Sequence, residues 1–149
     1  MILKFDGEPN EVYFVEATGN MGVALNKWEY LRDHIGNGKF YSTVAFRHVN
    51  FKRDNNMCDN LEKLLDEAIG RNYGMNPSKL MRSKTIKSRD NTLIAEDRTF
   101  FCSELVAKAF KILGVLKDDD TSCTQFYPHH FTGAGDSFLK LENGVTIDT

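Results

Sequence analysis

The chain carries two rhythms of apolar and polar residues, one of period two near its start and one of period three to four in two later stretches. Residues 2–5, Ile-Leu-Lys-Phe, are apolar-rich and read as a strand, and Asp6-Gly7-Glu8-Pro9-Asn10 after them is a strong turn signal. Residues 12–17 alternate and are rich in β-formers, so the two segments form a predicted hairpin. Strand side chains point alternately to opposite faces, which puts Val12, Phe14 and Glu16 on one face and Tyr13, Val15 and Ala17 on the other. Thr18-Gly19-Asn20 turns the chain, and Gly22-Val23-Ala24-Leu25 continues the sheet. Residues 42–51 form another predicted strand, with Val44, Phe46 and His48 on one face.

The longer period begins near Asn60. Leu61, Leu64, Leu65, Ala68 and Ile69 make an apolar helical stripe, with Asp59 and Glu62 placed as a capping box. Residues 74–98 are polar and read as a long loop with at most one helical turn. A second helix spans residues 102–113 with Leu105, Val106, Ala109, Phe110 and Leu113 inward, and Gly114 is a good residue to end it. Residues 138–141 and 145–147 read as a closing hairpin around Glu142-Asn143-Gly144. Two helices and five or six short, mostly antiparallel strands predict an α+β domain.

Composition narrows the classes. A length of 149 residues fits one domain, and 41% hydrophobic with 27% charged residues is a soluble globular composition. Nineteen Lys and Arg against 21 Asp and Glu give a net charge of -2, which argues against a nucleic-acid partner for the chain as a whole. No apolar run approaches the roughly 18 residues of a membrane span. The first residues lack the apolar core and cleavage site of a signal peptide. Three irregularly spaced cysteines (Cys58, Cys102, Cys123) suggest neither a disulfide framework nor a metal cluster. Free thiols and a cytoplasmic location are the expectation. The run Lys79, Arg82, Lys84, Lys87 and Arg89 holds no acidic residue between its ends. It reads as a solvated loop or as a contact for an anionic substrate, lipid headgroups or an acidic partner. Trp28, the one tryptophan, reads as packing in the core or at the sheet edge.

Cys102 is the most informative residue. It opens the second helix, where the macrodipole and the unpaired N–H groups favour a thiolate and an oxyanion beside it. The alternative is a structural cysteine that packs as a small hydrophobe. Cys58 and Cys123 read as incidental.

Phe100-Phe101-Cys102-Ser103-Glu104-Leu105-Val106, followed by Ala109-Phe110 and Leu113-Gly114-Val115, resembles the nucleophile helix of the permuted papain-like cysteine hydrolases. This is the NlpC-type superfamily in its YiiX-like branch, with lecithin retinol acyltransferase a more distant relative. Residues 13–17 resemble the strand that carries the family's acidic residue. Gly22-Val23 with Leu25 and Trp28 resembles the segment after it, and residues 42–48, with Arg47, the next strand. Residues 126–131 resemble the family's Pro-x-x-Phe segment, and the pieces occur in the expected order over most of the chain.

The resemblance implies a permuted papain-like fold and hydrolysis or transfer of an amide or ester acyl group through acyl-Cys102. The substrate would be a small molecule, peptide or lipid, and no metal or organic cofactor is implied. Glu16 fits the residue that orients the catalytic His; its bland reading is an exposed strand carboxylate. The resemblance further implies that Ser103, Pro128, His129 and His130 line the substrate site.

The family's His precedes the acidic residue, followed by two small or apolar residues and then the strand body. Met1-Ile2-Leu3 already reads as strand body, so the matching His is expected upstream of Met1, in an N-terminal piece of the fold. His34 reads as a loop residue, and His129 and His130 as a solvated pair. His48, on a predicted strand, is the substitute base among the four His. The reading from another class is a catalytically inactive relative, a binding or assembly module with a protein partner at an open sheet edge.

Overall fold

The computed structural model describes residues 1–35, 44, 46–74, 99–117, 121–133, 138–141 and 146–147. The mixed α+β class is as expected. Its centre is an antiparallel sheet of β1 (Ile2–Leu3), β2 (Tyr13–Thr18) and β3 (Gly22–Lys27), in the order β1-β2-β3. Ile2 pairs with Phe14, and Val15 pairs with Leu25. The turn into β3 closes on Gly22, which has φ +69°. A Cβ there would lie 2.3 Å from the carbonyl oxygen of Arg71, so only glycine fits the turn and the close approach together. That approach is a docking contact: Val23 N–H donates to Arg71 O at 2.8 Å, and Gly70 N–H to Val23 O at 2.8 Å.

The sheet runs directly into α1 (Trp28–His34), a short helix that residue periodicity alone does not announce. It is tied to the residue just before β2 by Trp28 N–H donating to Val12 O at 2.7 Å. Trp28 is half-buried with its ring edge-on to Phe46 at 5.4 Å, the packing role expected of it. The next helix, α2 (Asn55–Ala68), begins earlier than the apolar stripe suggested. Asp54, not Asp59, is its cap: the Asp54 carboxylate accepts from Met57 N–H at 2.8 Å. The stripe locates only the face that is buried, whereas the polar first turn needs no apolar residue and is set by its cap. Leu64, Leu65 and Ala68 are buried as expected, but Ile69 lies past the helix end and is exposed.

Strand β4 is Val49–Asn50 alone; among the described residues of 42–48 no strand forms. Its partner is β5 (Thr146–Ile147). The expected closing hairpin is therefore replaced. Leu141 bridges Leu116, and Lys117 N–H donates to Lys140 O at 2.8 Å. Short two-residue strands carry no alternation from which a partner can be read. Helix α3 (Cys102–Ile112) matches its prediction, and Gly114 ends it with φ +63°. Two 3-10 turns follow, η1 (Cys123–Gln125) and η2 (Pro128–Phe131).

Two apolar clusters flank α3. The first joins Val15, Ala17 and Val23 of the sheet to Leu65 and Ala68 of α2 and to Phe100 and Leu105. The second gathers Ala107, Leu116, Cys123, Phe126 and Leu139, so Cys123 is a core residue and not a loop thiol. Among the described residues no helix is long and apolar enough to cross a membrane.

Candidate functional site around Cys102

Phe100 and Phe101 are both buried and deliver the chain rigidly to the start of α3. Phe100 N–H donates to Asn72 O and Gly74 N–H to Phe100 O, both at 3.1 Å, and Tyr73 bridges Phe100 in parallel. Phe101 is extended at the cap position and offers no side-chain acceptor to the first turn. Instead the buried Glu104 carboxylate accepts from Phe101 N–H at 3.5 Å. From 100 to 105 every residue is buried except Cys102, which is exposed. Ser103, expected to line the substrate site, is 4% exposed, and its Oγ has no hydrogen-bond partner among the described residues.

Tyr73 is the neighbour that sequence reasoning missed. Burial first, and the charge of Cys102 second, push its phenol above the ordinary value. A lone tyrosine in Asn72-Tyr73-Gly74 carries no periodic signal; only the pairing with Phe100 brings it towards the start of α3.

Glu16 is not brought to Cys102. Val15 and Ala17 point into the cluster with Phe100 and Leu105, so Glu16, between them, points to the other face of the sheet. There it is half-buried, accepts from Asn26 Nδ2 at 3.4 Å, and lines a cleft with Phe14, Thr18, Asn20, Met21, Tyr30, Leu31 and His34. His34, expected in a loop, is the last residue of α1. Its Nδ1 lies 2.5 Å from Tyr30 O, which as a carbonyl can only accept. The proton is therefore on Nδ1, and in the neutral ring Nε2 is an acceptor.

His48 is exposed and lies outside any strand, so the reason for preferring it as a base is gone. Its neighbour Arg47 donates from its guanidinium to Phe131 O at 3.0 Å. Pro128 and His129 are exposed on η2. His130 is 8% exposed rather than solvated. Its Nδ1 accepts from Tyr127 N–H at 3.1 Å, and its ring stacks on Phe138 at 3.8 Å. Burial, and after it the adjacent His129, lower its pKa. This turn packs through Phe131 on Phe110, two helical turns along α3 from Cys102. The basic run 79–89 lies outside the described residues.

The arrangement offers an exposed thiol at the head of a buried run, a tyrosine on the segment that pairs with Phe100, and a separate cleft with one carboxylate among the described residues across the sheet. No family model, curated protein or solved structure matches this chain.

Proposed function

We propose that the chain is a thiol-dependent hydrolase or acyltransferase of the permuted papain-like kind, acting on an amide or ester through acyl-Cys102. The observation that carries this is the exposure of Cys102 alone within the buried run 100–105, at the first position of an 11-residue helix. The N–H groups of the helix's first turn suit the oxyanion of a tetrahedral intermediate. The sulfur attacks the acyl carbon, the amine or alkoxide leaves with a proton, and water then cleaves the thioester.

The register of β1 supplies a place for the base. Met1 and Val15 exchange two backbone hydrogen bonds, at 3.0 and 2.9 Å. A residue added before Met1 therefore stands opposite Glu16, and the third residue added stands opposite Thr18, on the same face. An imidazole at that third position is a diagonal cross-strand neighbour of Glu16. Glu16 faces away from α3, so an imidazole there shares the face of Glu16 and not that of the thiol, which weighs towards the second reading below.

The test uses an activated ester with mass spectrometry of the acyl adduct. Residues 1–149 should turn over weakly, and a chain extended by His and two apolar residues should gain about 10²–10⁴-fold. Cys102→Ala should abolish that gain. Acylation of Cys58, also exposed, with Cys102 untouched would end the reading. The second reading, a catalytically inactive binding module, is favoured by the separation of Glu16 from Cys102; an extended chain with no gain in turnover would select it.

A further inference from the structure

The segment from Phe46 to Arg53 is rich in rings and cations, with Phe46, Arg47, His48, Phe51, Lys52 and Arg53, and it holds no Asp or Glu. Exposure alternates along it: Phe46, His48, Asn50 and Lys52 are exposed, while Arg47, Val49 and Phe51 between them are half-buried. That period of two is the pattern of a chain with one row of side chains turned outward. The other row is anchored. Arg47 donates to Phe131 O at 3.0 Å, and β4, in the middle of the segment, pairs with β5. Phe46 is the most exposed large apolar side chain among the described residues, yet Trp28 holds its ring edge-on. The Arg53 guanidinium lies over the Phe51 ring at 5.3 Å. Neither Lys52 nor Arg53 has an ion-pair partner among the described residues, and the next acid along the chain, Asp54, is engaged as the cap of α2.

We propose that this row binds a single-stranded nucleic acid: a base stacks on Phe46, and Lys52 and Arg53 take phosphates farther along the strand. Alternate side chains of an extended chain stand roughly 6.6 Å apart, about twice the 3.4 Å rise per base, so one base fits between the exposed rings of Phe46 and His48. At about 3.3 Å per residue the row from Phe46 to Lys52 spans roughly 20 Å, enough for several nucleotides. A ring face with cations beside it is what a single strand needs, and every base has a π-face, so the binding is independent of sequence. A duplex hides its base faces, and a lipid surface has none, so a single strand is the occupant that uses both features. The net charge of -2 argues against a basic surface over the whole chain and leaves room for a local one. The inference stands whether or not Cys102 is reactive.

The experiment is fluorescence anisotropy of an end-labelled oligo(dT) of about twelve nucleotides, titrated with the full chain at low salt. Kd should be about 10–100 µM and should rise with salt at a log–log slope of about 0.7 per phosphate contact. Phe46→Ala should weaken binding at least about fivefold and leave that slope unchanged, and Lys52→Gln should lower the slope by about 0.7. Oligo(U) should bind within about twofold of oligo(dT), because the contacts are to base faces and phosphates; a preference of about tenfold for either sugar would overturn the proposal. A duplex bound as tightly as the single strand, or unchanged binding by Phe46→Ala, would show that no base is stacked and overturn it too. Failure to bind the oligonucleotide, with sedimentation on phosphatidylserine vesicles instead, would assign the row to an anionic membrane. Binding that survives Phe46→Ala combined with Lys52→Gln lies elsewhere, the run 79–89 included, and also overturns the proposal. The duplex comparison needs no variant, so the test does not depend on how the variants fold.

Discussion

The two faces of the three-stranded sheet are built from alternate residues of the same six-residue strand, yet they have opposite characters. Val15 and Ala17, at 3% and 5% exposure, close against α2 and α3 in a dry core. Phe14, Glu16 and Thr18 face α1, whose described residues include none that is buried, across a cleft that keeps a carboxylate half in solvent. One face is covered by two helices of 14 and 11 residues and the other by a helix of seven. The lesson is that the longer helices close their side into stability, while the short one leaves a polar group partly open to solvent.

The largest expected effect breaks the closed face. Phe100→Ala removes a side chain with 0% exposure and should cost about 3–5 kcal/mol in urea unfolding, whereas Phe46→Ala, at 60% exposure, should cost under about 0.5 kcal/mol. A small loss at Phe100 would mean that the core can collapse around it. Next, adding volume separates the two faces directly. Ala17→Leu overpacks the cluster and should cost about 1–3 kcal/mol, while Glu16→Leu opens onto the cleft and should stay within about 1 kcal/mol of the parent protein. Equal costs would show that the faces do not differ in packing.

A smaller effect tests how the closed face is anchored. Asp54→Ala should destabilise by about 1 kcal/mol through the lost cap of α2, and Asp59→Ala, within the helix and exposed, should have almost none. The smallest effect is one of pH. His130 has its folded pKa lowered, so the unfolded chain takes up this proton first as pH falls. Its contribution is complete above the unfolded value of about 6.5 and is lost as pH falls from there through the lowered folded value. Melting temperature should therefore decline more steeply below about pH 6.5 in the parent protein than in His130→Gln. Matching slopes would remove His130 as the cause.

Much of this was legible in the residues themselves. The alternation in residues 12–17 gives β2 and its two faces, the stripe from Leu105 to Leu113 gives α3, and the turn signal 6–10 gives the hairpin, because each depends only on spacing along the chain. Cys102 at the head of a helix was equally visible. What spacing could not supply is which neighbour covers which face. It could not tell that α3 lies on the side of Val15 and Ala17, which carries Glu16 away from the thiol and towards His34. Nor could it tell that β4 pairs with β5, that Tyr73 reaches the start of α3 through Phe100, or that His130 is buried under Phe138. Local order follows from side-chain period and backbone sterics, which act over a few residues. The partners of a face are selected by burying apolar area across long loops, so only the assembled tertiary structure decides them.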